Sequence, residues 1–355
     1  MATSYKQAGV DLKLGDVCSR IMSEAADLTF TNRSGLTGQV QVIEKEGLHR
    51  IVVIRVGRFR LMLNSDGIGT KVEIAERTGR HETIAFDLLA MLCDDAIRFG
   101  AEPMAVSEIL DVNHLHPATV RSLSRGLTEA AAAAGVAVLS GEIAELGARI
   151  QGLAPMSYHW AGTALSLLHQ PITGEAIQPG DAIVGLREKG FRSNGISLMR
   201  HVLSSHYGDQ WHQCTVEGQN LGETALVPST IYTRAVLKVF PWAHGIVHVT
   251  GGGIPGKLDR LLQPFKLGAE IADPFPPCWL MTHCQKIGQI SDQEAYRTWN
   301  MGQGMLIITP QPQKIQAAAS RMEIESQVVG HICEKPGIRI TSAGYFQPGQ
   351  VLSFP

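Results

Sequence analysis

A chain of 355 residues is long enough for two domains with separate cores, and 31 basic against 33 acidic side chains leave no charge footprint for nucleic acid or an anionic membrane. With 44% hydrophobic and 18% charged residues the composition is globular, and 37 glycines point to many tight turns. The six cysteines form no Cys-x-x-Cys pair, which predicts free thiols and neither a disulfide framework nor a structural zinc.

Residues 1–16 carry charges throughout and no apolar signal region, so a cytoplasmic chain is expected. Gln39–Ile43, Arg50–Val56 and Arg58–Asn64 alternate polar and apolar residues, predicting antiparallel strands with turns at Glu44–Gly47 and Gly57 and a sheet with one polar face. The segment Asp66–Lys71 (DGIGTK) follows. A helical pattern from Glu82 to Phe99 bears Ile84, Leu88, Met91 and Leu92 and is stopped by Gly100 and Pro103; a second runs from Pro117 to Ala134 and stops at Gly135. Val136–Leu139 reads as a buried strand that delivers Glu142 to a loop mouth. The uncharged stretch Ile150–Gly174 is interrupted by Pro155, His159 and Pro171 and does not read as a membrane span. Tyr158–Leu168 reads as a closing strand, and the punctuation of His169–Asp181 marks a domain boundary.

The second half opens with a strand, Ala182–Leu186, a glycine-rich turn, Gly190–Gly195, and a helix, Ile196–Leu203. His248–Gly253 (HVTGGG) repeats the arrangement, with a helical stretch at Lys257–Leu262. Both loops can offer backbone N–H groups to an anion.

The densest chemistry is acidic: Asp66, Asp87, Asp94, Asp95 and Glu142, with Lys71 beside the first. Such carboxylates suit Mg²⁺, and Lys71 would supply a point charge for phosphate; exposed helix positions are an equally good reading of Asp94 and Asp95. Gly251–Lys257 (GGGIPGK) imitates a phosphate-binding loop, but Leu258 replaces the required hydroxyl and Pro255 removes a donor, so that reading is set aside. No HExxH or GxSxG is present. Of the histidines, His248 and, less so, His81 stand out from ordinary packing residues.

Taken in order, Ser4–Asp11 (SYKQAGVD), DGIGTK, His81–Met91 (HETIAFDLLAM), Asp94–Asp95, Gly100–Pro103 (GAEP), Ser140–Glu145 (SGEIAE), GFRSNGISL, Pro228–Tyr232 (PSTIY), HVTGGG and Tyr296–Met305 (YRTWNMGQGM) resemble the phosphoribosylformylglycinamidine cyclo-ligase, or AIR synthetase, family. The resemblance implies a two-domain α/β (α+β-like) subunit. Residues 1–170 would bind ATP and Mg²⁺ and pair their sheet with a twin to form a β-barrel across a homodimer; residues 171–355 would form a substrate-binding α/β domain. It implies ATP-driven ring closure, in which the formyl oxygen of formylglycinamidine ribonucleotide is phosphorylated and the amidine nitrogen displaces phosphate.

Position by position, the resemblance implies that Asp66, Gly67, Gly69, Thr70, Lys71 and Glu142 bind nucleotide and that Asp66, Asp95 and Glu142 hold the metal. It makes Lys71, Asp95 and His248 the catalytic groups, and Arg192, Ser193, Asn194, Thr250, Gly251, Gly252 and Gly253 the substrate loops. The chain departs from the family pattern in several places. Thr29–Gln39 stands for a glycine loop, Asp94 for an Asn, Ser140 for a Gly, Arg192 for a His before Ser-Asn-Gly, Leu146–Arg149 for Pro-Gly-Met-Tyr, and Ser107–Leu115 is rewritten. Arg192 would either bind phosphate or lie on the surface. These departures keep two alternatives open: a paralogous ATP-dependent enzyme acting on another amide-like or carboxylate substrate, and a non-catalytic nucleotide-binding dimer.

Overall fold

The computed structural model describes residues 12–44 and 50–354. Most of the turn expected at Glu44–Gly47, and all of Ser4–Asp11, lie outside the described residues. Helix α1 (Leu12–Thr29) comes first, then β1 (Gln39–Ile43), β2 (Ile51–Val56) and β3 (Phe59–Gly67), an antiparallel meander. Helices α2 (Val72–Thr78) and α3 (Ile84–Ile97) lead to β4 (Ala101–Val112), and α4 (Pro117–Ala134) crosses over to β5 (Ala137–Glu145). The crossover makes β4 and β5 parallel, and β6 (Tyr158–Leu168) inserts to give a six-stranded sheet in the order β1-β2-β3-β6-β4-β5.

Helix α4 has the bounds its signals predict: Pro117 in the first turn, His116 capping Thr119, and Gly135 closing it at φ 76°. Helix α3 is buried nearly all round, because the sheet covers one side and the second half of the chain the other. Its acidic residues therefore sit inside the protein, which corrects the reading of Asp94 as an exposed helix position: Asp87 and Asp94 are fully buried.

The expected polar sheet face is also corrected. Pairing puts Val42, Ile54, Phe59, Leu63 and Ile109 on the face turned away from α3, and all five are exposed. This face is a broad apolar surface, larger than a solvated sheet face requires.

Residues 169–181 connect the sheets as a packed segment: the Ile172 N–H donates to the Phe99 carbonyl, and Ile172 and Ile177 are buried. The second half contains β7 (Ala182–Arg187), α5 (Ile196–Tyr207), the short pair β8 (Thr215–Val216) and β9 (Gln219–Asn220), α6 (Leu221–Ala225) and α7 (Thr233–Leu237). There follow β10 (Gly245–His248), α8 (Gly253–Leu262), β11 (Gly268–Ile271), α9 (Trp279–Gly288), α10 (Asp292–Thr298), β12 (Gln303–Thr309), α11 (Pro312–Ser320), β13 (Ser326–Cys333), β14 (Gly337–Thr341) and β15 (Val351–Phe354). The seven-stranded sheet runs β10-β12-β7-β13-β11-β14-β15. Helices α5, α8, α9 and α10 belong to the large core on one face, while α7 and α11 cover Val184, Leu186, Ile246 and Ile307 on the other. His248 pairs with Met305 and Met305 with Leu186, so β7 and β10 end at the same level on either side of β12 and their glycine turns leave the same edge of the sheet.

All six cysteines are free thiols, and no helix among the described residues is long and apolar enough to cross a membrane.

Candidate active site

Asp66 occupies the last turn of pleat in β3, where its Oδ1 accepts from the Gly67 N–H at 2.7 Å. Desolvation raises its carboxyl above the ordinary range, the Gly67 bond opposes this, and the nearby Asp95 raises it further. Gly69, at φ 69°, turns the chain into α2, and Thr70 Oγ1 lies 3.4 Å from Ser197 Oγ on α5, linking this motif to the second half.

Asp95 is 30% exposed and accepts from Arg98 Nε at 2.7 Å. Burial would raise its carboxyl, but Arg98 and His248 outweigh burial and hold it well below the usual carboxylate range. One carboxylate held ionised stands near a second that is raised mainly by desolvation and further by the first, two oxygen donors of the kind a hard divalent cation takes. On that ground Asp66 and Asp95 fit Mg²⁺.

Lys71 does not face this pair. It is fully buried, with Nζ donating to Asp87 Oδ1 at 2.8 Å and to the Val227 carbonyl at 2.6 Å, and Ser229 Oγ donates to the same Asp87 oxygen at 2.5 Å. The assignment of Lys71 to phosphate is corrected: it ties α3 to the Val227–Ser229 loop. A cation does stand at the pair, namely Lys257, whose ammonium burial and the neighbouring Arg98 destabilise while Asp95 and Asp66 favour it. Lys257 lines a cleft of about 240 Å³ together with Asp16, Gly251, Gly252, Gly256 and Arg260. The sequence signal for Lys257 lay in the GGGIPGK segment that was set aside for lacking a hydroxyl.

The glycine turn is built for close packing. Gly253 sits at φ 62° where a Cβ would overlap the Tyr296 carbonyl, and Gly252 at φ 90° faces open space. Thr250 is buried and its carbonyl accepts the Gly253 N–H at 3.0 Å. Helix α8 starts here; in its first turn the Gly253 N–H is held by Thr250, the Gly256 N–H donates to the Gly252 carbonyl at 3.2 Å and Pro255 has none, which leaves the Ile254 N–H at the helix start. Asn194 lies against Gly251 and donates weakly to Met91 Sδ at 3.7 Å. Ser193 Oγ is buried without a hydrogen-bond partner. Gly195, at φ 73°, packs under Trp299, whose indole N–H donates to its carbonyl at 3.1 Å.

Arg192 meets neither expectation, phosphate or surface. Only 1% exposed and at φ 59°, it donates to Glu188 at 2.8 Å, the Thr230 carbonyl at 2.7 Å, Asp94 at 3.0 Å and His248 Nε2 at 2.9 Å. Asp94 also accepts from the Tyr232 N–H and Thr233 Oγ1. Two departures from the family pattern, Asp94 and Arg192, are thus one buried ion pair that joins the two halves. Burial pushes Asp94 up to about 6 against its Arg192 partner, while Glu188 and Asp94 keep Arg192 charged despite burial.

His248 is also buried, and burial followed by Arg192 lowers its imidazole to about 4 despite Asp95. With Nε2 accepting from Arg192, Nδ1 carries the proton; it points at Asp95 Oδ1, 3.6 Å away. His248 therefore acts on Asp95 and not on a ligand directly, which corrects its catalytic assignment. His81 is a packing residue, its Nδ1 3.0 Å from the Tyr158 hydroxyl.

Glu142 is corrected as well. It lies inside β5, on the rung of Ile109, Ala161 and Gly67, facing the exposed sheet surface. Three strand spacings separate it from β3, roughly 14 Å. Asp66, by contrast, shares the face of Asn64, which bonds to the Leu92 carbonyl of α3.

Residues 49–158 match the family described as AIR synthase related protein, N-terminal domain, and residues 178–342 match its C-terminal domain. A phosphoribosylformylglycinamidine cyclo-ligase from Thermococcus kodakarensis is 34% identical over 96% of this chain and 98% of its own length. One from Desulfitobacterium hafniense is 34% identical over 93% and 98%. Among solved structures, AaThiL complexed with AMPPCP and TMP matches with TM-score 0.57 at 14% identity, over 93% of this chain and 96% of that one. Hydrogenase maturation protein HypE in complex with ATP matches with TM-score 0.57 at 14% identity, over 83% and 85%. The structural matches establish the shared two-domain mixed α/β fold.

Proposed function

The chain belongs to the AIR synthase related family, and from that premise we propose that it converts formylglycinamidine ribonucleotide to aminoimidazole ribonucleotide with hydrolysis of ATP, a step of purine biosynthesis. The observation that carries the chemistry is the meeting of Asp66 and Asp95 with Lys257 beside the Gly251–Gly253 turn, where the two halves of the chain touch.

In this reading Asp66 and Asp95 hold Mg²⁺, which supplies charge neutralisation for the triphosphate when bound. Lys257, Arg260 and the Ile254 N–H at the start of α8 bind phosphate oxygens. His248 keeps its proton on Nδ1 toward Asp95, and Arg192 holds His248 in place, so the carboxylate stays ionised and aimed. The bonds of Lys71 to the Val227 carbonyl and of Ser229 to Asp87, with the Arg192–Asp94 pair, fix the two halves at the separation the substrates need. Phosphorylation turns the formyl oxygen from a poor leaving group into a good one; the amidine nitrogen then closes the ring and phosphate departs.

The apolar outer face of the six-stranded sheet supports a homodimer in which two such sheets cover one another. Glu142, on that face, contributes to a nucleotide site only through the assembly. The working test is ADP release from Mg²⁺–ATP with and without formylglycinamidine ribonucleotide. Substrate-dependent ADP matched by aminoimidazole is the expected outcome, whereas ADP release indifferent to that substrate would transfer the reading to a paralogous acceptor.

A further inference from the structure

We propose that Glu270, His331 and Cys333 form a binding site for a zinc-type divalent transition metal on the seven-stranded sheet, independent of the nucleotide site. His331 and Cys333 are two residues apart on β13 and so share one face. Glu270 on β11 is the direct cross-strand partner of His331, and the partner of Cys333 is Gly268, which puts no side chain opposite the thiol. The imidazole nitrogen, thiol sulfur and carboxylate oxygen lie within 4.8 Å of one another. One nitrogen, one sulfur and one oxygen donor on rigid paired strands suit zinc and its neighbours, with a fourth position open to water because His331 is exposed.

The cluster already attracts a cation. Arg339 on β14, on the rung of Glu270, places Nη2 at 3.1 Å from Glu270 Oε2 and 3.8 Å from Cys333 Sγ. That ion pair is partly exposed, at 33% and 40%, so a metal can replace the guanidinium at little loss. The site also stands apart from the glycine turns. His331 pairs with Ala182 at the start of β7, whereas those turns leave from its other end, beyond Leu186; the separation along the strand is on the order of 15 Å.

Titrating reduced, full-length protein with Co²⁺ tests the proposal. A thiolate-to-cobalt charge-transfer band with tetrahedral visible bands, saturating at one equivalent and bleached by Zn²⁺, is expected. Cys333→Ser should abolish the charge-transfer band, and His331→Ala or Glu270→Gln should weaken binding by about tenfold or more. Circular dichroism and unchanged substrate-dependent ADP release show that each variant is folded. Absence of the band in both wild-type protein and Arg339→Met, which lacks the competing cation, would overturn the proposal, as would its survival in Cys333→Ser.

Discussion

At the scale of single residues, charge type was legible and orientation was not. DGIGTK announced a phosphate-site lysine, yet Lys71 turns inward to Asp87 while Lys257, from a rejected motif, reaches the carboxylate pair. Sequence gives the residue; only the packed loop at Val227–Ser229 decides which way it points. Lys71→Met leaves Asp87 buried and unpaired and should destabilise the fold by about 3–5 kcal/mol in chemical denaturation. Lys257→Met should leave stability intact and reduce kcat/KM for ATP by about a hundredfold; equal activity with wild type would remove Lys257 from the phosphate site. The pH dependence has a definite sign. Unfolded His248 takes a proton near 6.5 but the folded residue only near 4, so acidification through that window favours unfolding. Asp94, raised to about 6, binds a proton more readily when folded and opposes the trend. His248→Gln removes the His248 contribution, so relative to wild type its stability should rise on acidification between pH 6.5 and 4 by up to about 1.4 kcal/mol per pH unit. Melting curves between these pH values check the slope.

At the scale of elements, cap and stop signals worked where they were local. Pro117 and Gly135 bracket α4 as expected, and Tyr158–Leu168 is a strand over its full predicted length. Helix α1 has no counterpart in the sequence reading although Leu14, Val17, Ile21 and Leu28 recur at helical spacing, because the charges of residues 1–16 bear on targeting and not on periodicity. Strand β4 runs through much of the rewritten Ser107–Leu115 segment, where its half-buried pattern concealed the period. The glycine turns make a sharp prediction. Gly253→Ala would press a methyl into the Tyr296 carbonyl, and Gly195→Ala one into Trp299, at positive φ in both cases. Each should lose about 2 kcal/mol or more. Gly256→Ala, with open space around its Cβ inside α8, should be neutral or stabilising by up to about 1 kcal/mol; differential scanning calorimetry separates the three.

At the scale of the whole molecule, the ordered series of motifs identified the family and its two-domain fold, while contacts between distant segments stayed hidden. That Asp94 and Arg192, 98 positions apart, form one ion pair is a tertiary fact with no local signature. Glu142 was placed at a loop mouth because four apolar residues looked like a complete strand, whereas β5 continues through it on the outer face. The same face predicts assembly. Leu63→Glu together with Ile109→Lys should convert a dimer to monomers of 38.4 kDa by light scattering, with loss of ADP release if Glu142 acts across the interface. A wild-type monomer with full activity would contradict the proposed assembly.

The central claim is that ATP activates the formyl oxygen, and substrate carrying heavy oxygen in its formyl group tests it most directly. Label recovered in inorganic phosphate in proportion to aminoimidazole formed is the predicted result. Label released to water while ATP is hydrolysed separately would contradict the account.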